Sequence, residues 1–285
     1  MPADAASKAV LITGCSSGIG RATAEHLAGR GLTVYATARR RESIADLEAS
    51  GCRLLELDVT DEDSMVAAGR AVEEAEGAVG ALVNNAGYSQ SGPVEEVPLA
   101  EVRRQFETNV FGLVRMCQLV LPGMRRQGFG RIVNVSSMGG KLVFPGGGFY
   151  HGTKHAVEAI SDALRWEVRG FGVDVVVIEP GLIKTSFGEV AADSVSAAPA
   201  EGPYGEFTAA VAKATRGAYE GGLAKLGGGP ETVARKIEKA ITKRRPKTRY
   251  TVTPSAKMAL FQRRVMSDRM WDGMLRTQFP QPGGR

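Results

Sequence analysis

Short aliphatic and β-branched runs alternate with amphipathic stretches of helical length along most of this 285-residue chain. That alternation limits the fold more than any other feature. Strands joined through helices run parallel, and a parallel sheet must be covered on both faces. Residues 9–13, 33–37, 54–57, 81–83, 131–135 and 174–178 read as strands, with 250–253 as a seventh. Helices are expected over 19–30, 61–76, 99–126, 151–171 and 230–243, the third breaking near Gly112. The reading is an α/β, doubly wound, mostly parallel seven-stranded sheet with helices on both faces. Residues 1–254 read as one domain with a long loop region at 182–229, and 255–285 as a basic amphipathic extension. The Gly, Pro, Ala and Ser content of 188–205 reads as a mobile loop.

Ligands of such sheets sit beyond the carboxyl ends of the strands. The first strand runs into Thr13-Gly14-Cys15-Ser16-Ser17-Gly18-Ile19-Gly20, and a helix follows. Glycines there allow a tight turn and close approach of the backbone to a pyrophosphate. The N–H groups opening the helix then face its negative charge. The end of the second strand reads Ala36-Thr37-Ala38-Arg39-Arg40-Arg41. A chain that binds NAD usually places a carboxylate there for the adenosine ribose. Ala38 stands at that place, and Arg39 offers a fork for a 2′-phosphate. NADP(H) is therefore expected over NAD(H), with Arg40 and Arg41 solvated.

Tyr150 and Lys154 are four residues apart and share one helix face. Together with the glycine turn, Asn84-Asn85-Ala86-Gly87, Asn109, Ser136-Ser137 and Pro180-Gly181-Leu182-Ile183-Lys184-Thr185, they make the chain resemble the short-chain dehydrogenase/reductase family over residues 8–187. Val34-Tyr35-Ala36-Thr37 and the long C-terminal extension are similar to its 17β-hydroxysteroid dehydrogenase-like branch. The resemblance implies a Rossmann-type fold and hydride transfer between a nicotinamide and an alcohol or carbonyl. Tyr150 would be the general acid or base, and Lys154 would favour its ionised form and bind the nicotinamide ribose. Ser137 would hold the reacting oxygen, and Asn109 would position a water that links Lys154 to solvent. Gly14, Ser16, Ser17, Gly18, Ile19 and Gly20 would meet the cofactor's pyrophosphate side. Asp58 and Val59 would meet the adenine. Asn84, Asn85, Ala86 and Gly87 would line the adenosine side and brace the sheet. Pro180, Gly181, Ile183 and Thr185 would lie towards the nicotinamide. His151 and His155 read as packing residues, since no carboxylate stands at triad spacing, and no metal is expected.

Three loops around 88–93, 138–149 and 182–204 carry Leu142, Val143, Phe144 and Phe187 and suit a lipophilic alcohol or ketone, steroid-, retinoid- or lipid-like. Lys141 and Lys184 leave a 3-oxoacyl-thioester reductase as the alternative. A cofactor sensor without turnover would not need the Tyr/Lys pair.

Apolar residues make up 43% of the chain and charged residues 24%, enough for a large core without disulfides or metals. Cys15, Cys52 and Cys117 are odd in number and widely spaced, which suits a reducing cytoplasm. No signal peptide or spanning segment is read. The net charge is +5, but residues 235–285 hold 14 Lys/Arg and 3 Asp/Glu. That tail reads as a solvated face or as a contact for an anionic membrane; nucleic acid is not expected as a partner. Met258, Phe261, Val265, Met266, Met270, Trp271 and Met274 fall at roughly helical spacing in it, with cap or core packing the plainer use. A homodimer or homotetramer through the helices around 112–126 and 151–171 is implied by the resemblance.

Overall fold

The computed structural model describes residues 6–196, 202–220 and 226–283. Seven strands form one sheet: β1 (Val10–Ile12), β2 (Val34–Ala38), β3 (Arg53–Glu56), β4 (Ala81–Asn84), β5 (Gly130–Val135), β6 (Val173–Glu179) and β7 (Arg249–Thr251). Their order is β3-β2-β1-β4-β5-β6-β7, and every pairing is parallel. The chain reverses direction across the sheet between β1 and β4, which opens a crevice at their carboxyl ends.

Alternation along each strand divides the core in two. Val10 and Ile12 face α1 (Gly18–Gly29) and the side later covered by α8 (Pro230–Thr242), with Leu27, Val34 and Ile237. Leu11 faces the opposite side, where α2 (Glu62–Glu76), α4 (Gly112–Gln127) and α5 (Gly148–Val168) contribute Met65, Val72, Met116, Val120 and Val157. Both faces of the central strands are thus dry, and truncating one of these leucines or isoleucines to alanine costs about 2–5 kcal/mol.

Three expectations need correction. The helix from Leu99 does not break at Gly112. α3 (Leu99–Phe106) passes into a π-helical turn, Glu107–Phe111, and continues as α4. A side chain at Gly112 would overlap the Val59 carbonyl oxygen, so this glycine serves close contact with the β3–α2 loop. The expected mobile loop contains α6 (Phe187–Ser196), followed by α7 (Gly205–Glu220); 197–201 and 221–225 lie outside the described residues. Gly188 lies inside α6, where a Cβ would stand 2.7 Å from the Tyr219 ring, so a glycine that reads as a breaker allows α6 and α7 to touch. The tail is two helices, α9 (Pro254–Val265) and α10 (Asp268–Arg276). Ser267 interrupts them by accepting a hydrogen bond from Met270 N at 3.4 Å, as an N-cap does. Among the described residues no helix is long and apolar enough to cross a membrane.

Candidate active site

The glycine turn is fixed by main-chain contacts. Cys15 N donates to Thr37 O at 2.7 Å, tying the turn to the end of β2. Thr13 Oγ1 accepts from Asn85 N and Ala86 N, both at 3.0 Å. Asn85 Nδ2 returns two hydrogen bonds of 3.0 Å, to Thr13 O and Gly14 O. Gly14 has φ +74°, and a Cβ there would lie 2.9 Å from Ala86 Cα. A Cβ on Gly20 would overlap Gly14 O. Ser17, the N-cap of α1, makes no side-chain cap, so the N–H groups opening this helix keep their capacity for an anion. Thr185 stands beside this opening, its methyl 3.5 Å from where a Cβ of Gly18 would be. The residues present fit a dinucleotide phosphate.

Arg39 is exposed just past β2 and has no hydrogen-bond or ion-pair partner among the described residues, whereas Arg41 pairs with Glu48 at 3.1 Å. Asp58 is engaged by its own loop, accepting from Thr60 N at 2.9 Å and Thr60 Oγ1 at 2.8 Å. Val59 is buried. Asn84 is buried and donates to Asn134 Oδ1 at 3.0 Å, so it braces β4 against β5. Pro180 O accepts from Met138 N at 2.8 Å, and a side chain on Gly181 would overlap Thr253 Oγ1. Ile183 buries its side chain in the core, so a cofactor contact from that position falls to its main chain.

The second half of the site meets the first along α5. Lys154 is buried, and its Nζ donates to Val135 O at 2.9 Å. The ammonium stands 5.9 Å from the centre of the Tyr150 ring. Ser137 Oγ accepts from Gly139 N at 3.0 Å and lies near enough to the Tyr150 phenol to influence it. Burial pushes the phenol up, and the nearby Ser137 hydroxyl opposes this. Burial pushes Lys154 down to about 8, with Glu158 pulling the other way. A carbonyl that accepts from Lys154 is invisible in the motif spacing, because Val135 belongs to a strand nineteen residues away.

Asn109 is held in the π turn with its side chain spent on structure. Its Nδ2 donates to Tyr88 O at 2.9 Å and to Thr153 Oγ1 at 3.1 Å, while Oδ1 accepts from Tyr88 N at 3.1 Å. A Cβ on Gly87 would stand 3.0 Å from Asn109 Oδ1 and 3.8 Å from Lys154 Nζ, so the three positions enclose one small space. His151 packs edge-on against Tyr150 at 5.7 Å, and burial pushes it down to about 4, which keeps it neutral near pH 7. His155 Nδ1 lies 2.8 Å from His151 O. No group of three or more His, Cys, Asp or Glu among the described residues is arranged to hold a metal. All three cysteines are buried and free.

Under α5 lies a partly buried charged cluster without a sequence signature, in which only Glu158 and Glu179 are buried. Arg249 on β7 pairs with Glu158 at 3.0 Å, Asp162 at 2.6 Å and Glu179 at 3.3 Å. Lys141 reaches Glu179 at 2.6 Å. The Tyr150 ring also packs on Phe187 at 5.5 Å, and an open, mostly apolar cleft of about 520 Å³ lies at the start of α5, with Gly148 in its lining. Pro93, Val94, Val143, Phe144, Tyr204 and Phe207 are among its walls. Trp271 of α10 braces that wall, stacking near Phe144 at 5.9 Å and donating to Val143 O at 3.4 Å.

The sequence matches the short chain dehydrogenase family over residues 8–195. It is 35% identical over 279 residues to an uncharacterized oxidoreductase of Bacillus subtilis, YusZ, covering 94% of this chain and 97% of that one. It is 38% identical over 272 residues to an NADPH-dependent 3-dehydrocapnine reductase of Ornithobacterium rhinotracheale, covering 92% and 94%. The crystal structure of a short-chain dehydrogenase from Streptomyces avermitilis superimposes with a TM-score of 0.78 at 33% identity, covering 95% of each chain.

Proposed function

This chain belongs to the short chain dehydrogenase family, and from that we propose that it is an NADP(H)-dependent oxidoreductase interconverting a secondary alcohol and a ketone or aldehyde, on a lipophilic substrate. The observation that carries the reading is the Lys154 ammonium 5.9 Å from the Tyr150 ring and close to Gly87, in a chain whose glycine turn leads into an uncapped helix N-terminus. The nicotinamide nucleotide, when bound, is the hydride donor or acceptor. Glycines 14, 18 and 20 and the α1 N–H groups would hold its phosphates. Ser137 would hold the substrate oxygen against the Tyr150 hydroxyl. In reduction Tyr150 delivers its proton to that oxygen, and in oxidation it takes the proton away. Burial alone disfavours a phenolate, so the charge on Lys154 is what makes the second direction accessible. Asn109 acts by fixing Tyr88 and Thr153 around the space next to Lys154; a water there would complete a proton path to solvent.

NADP(H) is preferred on the strength of Arg39, an unpartnered guanidinium where an acid would select NAD. Arg39→Asp should weaken NADPH binding far more than NADH binding; equal losses would overturn the preference. The apolar cleft supports a lipophilic substrate, and the pairing of Lys141 with Glu179 removes one of the two cations that an acyl thioester would use. Exposed Phe111 and Trp166, at 55% and 75%, support a second copy covering α4 and α5. The buried free cysteines suit a reducing, cytoplasmic setting.

The test is NADPH oxidation across steroid, retinoid, aliphatic and acyl-thioester carbonyls with Tyr150→Phe alongside. Turnover on an apolar ketone that falls about 10²–10⁴-fold in the variant is expected. NADPH binding with turnover unaffected by the substitution would remove Tyr150 from the mechanism.

A further inference from the structure

We propose that the outer face of α8 and α9 docks on an anionic phospholipid bilayer. α9 buries only Ser255 and Ala256 of its twelve residues. Met258, Phe261 and Val265 follow one another at helical spacing and are 42%, 66% and 61% exposed. Lys257 and Arg264 flank that stripe, and α9 contains no acidic residue. An aliphatic and aromatic stripe bordered by cations is the pattern of a helix lying in a headgroup region.

The positive charge extends beyond α9. Lys236 and Lys239 on α8, with Lys247 before β7, are close enough to Lys257 that together they depress the Lys236 ammonium, after its burial. None of Lys236, Lys239, Lys247 and Lys257 pairs with a carboxylate among the described residues. The one acid between them on α8, Glu238, points away to His26 and Arg30 at 2.7 and 3.1 Å. Arg263 also turns inward, its guanidinium 5.7 Å over the Trp271 ring and 2.6 Å from Asp268. The tail thus uses its inner residues to hold α10 on the cleft wall and leaves an outer face that is apolar and cationic.

Charge decides the occupant. A second copy related by a two-fold axis would bring the same cations against each other. A nucleic acid would neutralise the lysines but leave Phe261 and Val265 without a partner. An anionic bilayer satisfies both sets at once, each cation adding electrostatic attraction and each apolar side chain entering the acyl boundary. Docking in this way sets the apolar cleft, whose wall α10 braces, near the membrane surface; that consequence rests on the lipophilic-substrate reading, whereas the docking itself does not.

The experiment is co-sedimentation of the full chain with vesicles of phosphatidylglycerol and phosphatidylcholine in equal parts, and of phosphatidylcholine alone, at low and high salt. Binding about tenfold tighter to the anionic vesicles and weakened by salt is expected. Phe261→Ser with Val265→Ser should lose it about tenfold, and so should Lys239→Gln with Lys257→Gln, while thermal unfolding of both pairs matches the parent. Absence of binding, equal binding to both vesicles, or retention in the Phe261→Ser, Val265→Ser chain would each overturn the proposal. So would a change of oligomeric state in that chain with vesicle binding intact, which would make the stripe a contact between copies. A nucleic-acid duplex that binds with the same salt dependence, and equally after Phe261→Ser with Val265→Ser, while vesicles do not, would identify the wrong polyanion. A loss of vesicle binding alone leaves the redox reading intact, because NADPH oxidation on a soluble carbonyl measures that separately.

Discussion

The two sides of the candidate site are built in different ways. The side proposed to receive the nucleotide is locked by the backbone: Thr13, Gly14, Cys15, Thr37, Asn85 and Ala86 exchange main-chain and short side-chain hydrogen bonds between three strands. The opposite side, α6 and α7, joins the rest through separate side-chain ties. Ser194 Oγ accepts from Ser91 N at 3.1 Å, and Tyr204 donates to Glu95 at 2.6 Å across the cleft mouth. Its own core is small, with Val195, Val211, Ala212 and Phe279 buried. Backbone-locked geometry fails abruptly when one atom is added, whereas a wall held by single ties shifts by degrees. The first side can present fixed donors to an invariant phosphate, and the second can adapt to different substrates.

The steepest test is at Gly20. An added methyl has to displace Gly14 O or the Asn85 amide, both of which hold the turn. Gly20→Ala should lower stability by about 1–3 kcal/mol and weaken nucleotide binding by about 10²-fold or more. Gly29→Ala at the other end of α1 meets nothing within 4 Å and should leave both unchanged or slightly improved. Thermal unfolding and NADPH titration of the pair would check this; equal effects at the two glycines would mean that the turn is not backbone-locked.

This contrast also explains what can be read from the chain itself. The strands and the glycine turn follow from local chemistry, since β-branched runs and a turn that only glycine can make are recorded where they occur. Gly112 and Gly188 carry no such local message. Each stands inside a helix because of an atom brought close by the fold, Val59 O in one case and the Tyr219 ring in the other. The same holds for the catalytic helix. Tyr150 and Lys154 are legible by spacing, but the acceptor for Lys154, the Tyr88 clamp on Asn109 and the Arg249 cluster join residues 19, 21 and 91 positions apart.

A pH profile sharpens the comparison at intermediate size, because it probes the buried catalytic helix between the two sides. The folded Lys154 has its pKa lowered to about 8, so the fold disfavours its charge. As pH rises through about 8 the native ammonium loses its proton while the unfolded one, near 10.5, keeps it. The unfolded state then binds more protons, and the stability penalty from this group, fully present below pH 8, is relieved across that window. Alcohol oxidation needs the opposite balance: the Lys154 charge that favours the phenolate disappears in the same range. A rate limb ending near pH 8 is expected in kcat for oxidation, and Glu158→Gln should move it to lower pH, since Glu158 supports the ammonium. An unmoved limb would assign it to a group other than Lys154.

The smallest expected effect is at the mouth. The Tyr204 hydroxyl donates to Glu95, and that hydrogen bond, rather than burial, leads the rise in its pKa. Both residues also line the cleft. Tyr204→Phe keeps the ring that packs against Phe207 at 6.5 Å and removes only the tie between α7's approach and the loop before α3. If the substrate wall shifts by degrees, the variant should change KM a few-fold for bulky apolar carbonyls and leave kcat for a small one unchanged. NADPH affinity should not move, because no hydrogen bond joins Tyr204 to the glycine turn. A large loss of kcat on a small carbonyl would mean that the mouth and Tyr150 are mechanically one unit. The ring contact between Phe187, the first residue of α6, and Tyr150 at 5.5 Å is the path by which such coupling would travel.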